Sequence, residues 1–114
     1  MYRSNIQKGE QMSVLNVTKK NFYDDVLQSE FPVLIEFWSP LYEPCQMLTL
    51  IFEKISEEYP TLRVCKINAD EEKELARSFS IVSIPTICVV KQGSLTKQII
   101  GARDKEEIVS LILD

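Results

Sequence analysis

The chain has 114 residues, 45% of them hydrophobic and only 3 of them glycine, enough to bury one core and too few for a second domain. Its 13 Lys+Arg against 17 Asp+Glu leave a net charge of -4, with acidic residues scattered among lysines, which argues against nucleic acid or an anionic membrane as partner. Histidine is absent, and the three cysteines, Cys45, Cys65 and Cys88, have no close spacing, so neither His-based catalysis, a metal site nor any other cofactor is expected.

No apolar run is long enough to span a bilayer, and residues 1–11 lack the apolar segment of a signal peptide. The expectation is a cytoplasmic monomer with reduced thiols, since an odd cysteine count without a secretory signal does not suggest a disulfide framework. Residues 1–11 are polar and aperiodic and read as a disordered leader or non-native extension, ahead of a single domain over 12–114. Lys8-Gly9-Glu10 can be encoded by a string containing AAGGAG, similar to a bacterial ribosome-binding site, just upstream of Met12. A bacterial source with Met12 as the true start is therefore expected, a cloning scar being the alternative.

In chain order, 14–17 reads as a short strand and Thr18 as the N-cap of a helix to about Gln28, with Phe22, Val26 and Leu27 on its apolar side. Pro32 introduces a nearly all-apolar strand over 33–38. A helix follows with Leu48, Ile51, Phe52, Ile55 and Tyr59 on one face, stopped by Pro60; Leu50 stands mid-helix. The next strand spans 62–68, and Asp70 caps a short helix over 71–79 carrying Leu75, Ala76 and Phe79. Two strands, 86–90 and 95–100, are joined through Lys91-Gln92-Gly93-Ser94 as an antiparallel hairpin. Gly101 breaks the second, and Asp104 with Glu107 forms a capping box for a last helix burying Ile108, Leu111 and Ile112. Alternation followed by a hairpin and a helix predicts an α/β fold, a mixed central β-sheet flanked by helices on both faces.

The strand-to-helix junction Phe37-Trp38-Ser39-Pro40-Leu41-Tyr42-Glu43-Pro44-Cys45 is where such a fold keeps its chemistry. Pro44 suits the first helical turn, where its missing N–H has no intrahelical partner. A strand ending Phe-Trp, a short loop and Pro-Cys opening an amphipathic helix resembles the thioredoxin family, whose hallmark is Trp-Cys-Gly-Pro-Cys. The element order is similar too, and the resemblance covers residues 14–113, implying a thioredoxin fold. With Pro44-Cys45 on the last two hallmark positions, Leu41 stands where the family has tryptophan, Tyr42 where it has the attacking cysteine, and Glu43 where it has glycine. The motif is degenerate, and a phenol cannot form a disulfide.

The resemblance implies a role for each remaining residue. Cys45 matches the second, resolving cysteine, which points either to a partly shielded monothiol open to glutathione or mixed-disulfide formation, or to an inert buried residue. Glu43 disfavours a neighbouring thiolate. Glu36 matches a buried carboxylate that assists deprotonation of the resolving cysteine, with Lys66 as the lysine near it; a carboxylate kept for packing is the alternative. Ile84-Pro85-Thr86 matches the family's cis-proline loop, which docks an extended polypeptide, and Gly101-Ala102 the small residues across that groove. Cys65 and Cys88 read as core, and Trp38 as packing beneath the loop.

Three functions follow. The first is a redox-homeostasis protein of the thiol–disulfide type that docks polypeptide in the cis-Pro groove with at most monothiol chemistry at Cys45. The second is an active protein-disulfide reductase acting through Cys45, or one in which Tyr42 is not the ancestral residue, since Cys and Tyr codons differ by one base. The third is a non-catalytic complex subunit.

Overall fold

The computed structural model describes residues 14–113, so the expectations for residues 1–11 lie outside the described residues. Five strands form one sheet: β1 (Leu15–Asn16), β2 (Val33–Trp38), β3 (Arg63–Asn68), β4 (Thr86–Lys91) and β5 (Ser94–Ile100). Their spatial order is β1-β3-β2-β4-β5, with β3 parallel to β1 and β2, and β4 antiparallel to β2 and β5. The helices are α1 (Tyr23–Leu27, a π-helical turn), α2 (Glu43–Glu58), α3 (Lys73–Ser78) and α4 (Lys105–Leu113). This is the mixed sheet with helical layers that the element order predicts.

Side-chain alternation sorts the strands onto two cores. Val33, Ile35 and Phe37 of β2 join Cys65, Ile67, Cys88 and Val90 in a cluster with Val26, Leu75 and Phe79. Leu34 joins Val64, Ile87 and Val89 in a second cluster with Leu48, Phe52 and Ile55 of α2 and Ile108, Val109 and Ile112 of α4. Burying each such side chain stabilises the fold by about 1.5–3 kcal/mol. Because both faces of β2 are covered, the strand carries no polar stripe. Glu36 therefore lies in step with Leu34, on the face beneath α2.

One expected helix and one expected cap differ. The α-helix expected over 18–28 is instead the π turn Tyr23–Leu27, in which the Gln28 N–H donates to the Tyr23 carbonyl at 3.0 Å. Thr18 caps the turn that leads into it as expected: its hydroxyl oxygen accepts from the Lys20 N–H at 3.2 Å, its carbonyl from the Phe22 N–H at 3.0 Å, and its own N–H donates to Asn21 Oδ1 at 2.7 Å. Adjacent Asp25 and Val26 are both buried, and the wider turn lets both face inward, Asp25 toward Arg63 at 3.5 Å. Asp70 does not cap α3. Asn68 Oδ1 accepts from the N–H groups of Asp70 and Glu71, and α3 begins later than expected, after Glu72.

The hairpin is tighter than the four-residue linker suggested. Lys91 pairs with Ser94, leaving Gln92 and Gly93 as a two-residue loop with φ of 51° and 79°, the primed turn that matches strand twist. The capping box at α4 is in place: the Glu107 N–H donates to Asp104 Oδ1 at 2.9 Å and the Asp104 N–H to Glu107 Oε1 at 3.2 Å. No helix among the described residues is long and apolar enough to cross a membrane.

Candidate active site

The end of β2 and the start of α2 bring the junction residues together. Ser39 closes the loop between them: its carbonyl accepts from the Tyr42 N–H at 3.2 Å, and its hydroxyl accepts from the Leu41 N–H at 3.1 Å. The same hydroxyl donates to Asp70 Oδ2 at 2.6 Å, tying the loop to the segment after β3. Tyr42 occupies the N-cap of α2 in extended conformation with no side-chain cap bond, and Pro44 falls in the first turn. Leu41 is 88% exposed and Tyr42 45%, while Cys45 is 0% exposed.

Full burial corrects the expectation of a partly shielded Cys45. The helix turns its third residue inward against the sheet, where solvent cannot reach the sulfur. Burial raises the thiol pKa above its ordinary value; a backbone hydrogen bond at Ser39 offsets this in part, and the negative charges of Glu36 and Asp70 raise it further. Cys65 and Cys88 are also buried, on the opposite face of the sheet, with burial pushing them to about 12 and about 11. All three thiols are free.

Glu36 is wholly buried, and burial pushes its carboxyl up from 4.5 to about 7; the Thr49 hydroxyl and the charge of Lys66 hold it from rising further. Lys66 pairs with Glu36 in the β2/β3 register, which sets both on one face. Its ammonium lies 5.0 Å from the centre of the Trp38 ring, a cation–π contact, and reaches Glu36 only as a more distant charge. Trp38 Nε1 is buried without a hydrogen-bond partner among the described residues.

Across from the junction, the Ile84–Pro85 peptide bond is cis. Thr86 is buried, its hydroxyl donating to the Ser83 carbonyl at 2.6 Å, and the Pro85 carbonyl accepts from the Gly101 N–H at 2.8 Å. Gly101 has φ 95°, a conformation costly for a side chain, and Ala102 beside it is exposed. Among the described residues no cluster of His, Cys, Asp or Glu could hold a metal ion.

Two groups escaped the sequence reading. Thr49, four residues after Cys45 on the same helical face, hydrogen-bonds Glu36, and i,i+4 spacing was the available signal. Ser39 and Asp70 are 31 positions apart, and no local pattern marks their bond.

The chain belongs to the thioredoxin family: the family model described as Thioredoxin matches residues 13–114. A thioredoxin of Mycobacterium bovis is 39% identical over 106 residues, covering 92% of this chain and 91% of the relative. A thioredoxin of Rickettsia bellii is 39% identical over 98 residues, covering 85% and 93%. Among solved structures, spinach chloroplast thioredoxin f superposes with a TM-score of 0.83 at 26% identity, covering 90% of this chain and 86% of that one. A mutant thioredoxin from Halobacterium salinarum gives 0.82 at 27% identity, covering 93% of each. The fold is the thioredoxin fold and the family is one of redox proteins.

Proposed function

We propose that this protein serves thiol–disulfide homeostasis as a binder whose two-cysteine exchange has been lost. The observation that carries the reading is the pairing of exposed Tyr42 with fully buried Cys45 at the start of α2. Dithiol exchange needs an accessible thiolate to attack the substrate disulfide and a second thiol to resolve the mixed disulfide. Here the accessible position carries a phenol, and the remaining site thiol is shielded and hard to ionise. An extended polypeptide would dock along the cis-Pro loop, against Ile84, Pro85 and Thr86 on one side and Gly101 and Ala102 on the other. Leu41, Tyr42, Glu43 and Pro44 would flank it, over Trp38. Attack by Cys45 on a disulfide, glutathione's included, would yield one mixed disulfide and one released thiolate, and requires the first turn of α2 to open. The setting we infer is cytoplasmic, the protein monomeric, with no nucleic-acid or membrane partner.

The test is catalysis of dithiothreitol-driven reduction of a protein disulfide by the unaltered chain and by Tyr42→Cys. The unaltered chain should not exceed the uncatalysed rate, and the variant should exceed it clearly. Catalysis by the unaltered chain that disappears in Cys45→Ser would overturn the reading in favour of a reductase working through Cys45.

A further inference from the structure

Beneath the first turns of α2, a single hydroxyl stands between two oxygen atoms. Thr49 Oγ1 lies 2.8 Å from Glu36 Oε1 and 2.9 Å from the carbonyl oxygen of Cys45. A threonine hydroxyl donates one proton and accepts through its lone pairs. With Glu36 ionised, both neighbours are acceptors and compete for that proton. With Glu36 neutral, its Oε1–H donates to Thr49 and Thr49 donates onward to Cys45, so both short contacts become hydrogen bonds. Glu36 Oε2 agrees with the neutral form: it is buried without a partner among the described residues, and a bare carbonyl-type oxygen costs less there than half of a carboxylate.

We propose that Thr49 is a positioning residue that couples the proton on Glu36 to the backbone at Cys45, its hydroxyl donating to the Cys45 carbonyl while Glu36 is neutral and turning to Glu36 when the carboxyl ionises. The charged and titratable groups facing this pair are Lys66 from β3, which favours the ionised form, and the Cys45 thiol from α2. β4 sets Ile87 opposite Glu36, and α4 brings Ile108, Val109 and Ile112 to this face. The carboxyl's ionisation, raised by burial to about 7, therefore falls where modest pH changes move the hydroxyl from one partner to the other. The coupling holds whether or not Cys45 reacts and whether or not the cis-Pro groove takes a peptide.

The experiment is an NMR pH titration of protein carrying carbon-13 at the glutamate carboxyl and the cysteine carbonyl. In the unaltered chain the Cys45 carbonyl shift should follow the Glu36 midpoint. Thr49→Val removes the hydroxyl at nearly constant shape. It should raise the Glu36 midpoint by about one unit, because a hydrogen bond to a charged group is worth more than one to a neutral group. The Cys45 carbonyl should then follow Glu36 with much smaller amplitude. Thr49→Ser keeps the hydroxyl and should behave as the unaltered chain. The proposal is overturned by a Cys45 carbonyl in the unaltered chain that ignores the Glu36 titration, by a Val variant with an unmoved midpoint, or by a Ser variant that moves as far as Val. Should the Val variant not fold, the unaltered chain's own titration and the Ser variant decide.

Discussion

Replacing Glu36 by leucine should stabilise the protein, and by more as the pH rises. Below about pH 4.5 the carboxyl is protonated in both folded and unfolded chains, and its burial costs little. Between 4.5 and about 7 the unfolded chain gives up its proton first while the buried group keeps it, so the native state loses stability as the pH rises through this window. Above about 7 the loss is complete. A rise from 4.5 to about 7, at about 1.4 kcal/mol per unit, makes the full cost about 3 kcal/mol. Leucine fits a site that is 0% exposed and lies on the same face as Leu34 and Ile87, and Thr49 keeps the Cys45 carbonyl as its acceptor. Urea unfolding of both proteins in identical buffers from pH 4.5 to 8 isolates this group, since the other titrations cancel in the difference. The gap should widen by about 3 kcal/mol toward pH 8. A gap that stays flat or narrows would refute the claim that Glu36 is held neutral by burial.

Further expectations concern the rest of the site and its frame. Cys45 should be alkylated at pH 8 at least about tenfold more slowly in the folded chain than in urea, because both burial and a raised thiol pKa oppose it; mass spectrometry of quenched samples gives the rate. Phe52→Ala, which empties a wholly buried position beneath α2, should cost about 3–5 kcal/mol in a denaturant melt. Asp104→Ala breaks the capping box of α4 and should cost about 1 kcal/mol by the same measurement. Ser80 ends α3 with φ 57°, its N–H bonded to the Arg77 carbonyl and that of Ile81 to the Ala76 carbonyl. Ser80→Gly relieves the left-handed strain against a smaller loss of backbone entropy, and should stabilise by about 0.5 kcal/mol.

What could be read from the chain alone is what local pattern carries. The nearly all-apolar run of β2, broken by Glu36 alone, meant a strand covered on both sides, and the spacing of Leu48, Phe52 and Ile55 meant a half-buried helix, because periods of two and 3.6 residues are set by backbone geometry. Asp104 and Glu107 announced their cap because a capping box closes within four residues. Tyr42-Glu43-Pro44-Cys45 could be aligned with a redox motif because it sits in one stretch. Local signals also misled: Asp70 is a good capping type, yet its carboxylate accepts from the Ser39 hydroxyl and the Glu71 N–H goes to Asn68 Oδ1.

Tertiary structure decided the rest, because it depends on groups far apart in sequence. Cys45 could be placed at the foot of α2 from its position, but how completely the sheet covers it could not. The raised carboxyl pKa of Glu36 arises where β2, β3 and α2 converge, and the Thr49 hydroxyl meets it across 13 positions. Ser39 reaches Asp70 across 31 positions, and the Gly101 N–H closes on Pro85 only after the β4–β5 hairpin has formed. Desolvation, which sets the ionisation of both Glu36 and Cys45, belongs to the packed whole and has no signature in any single stretch of chain.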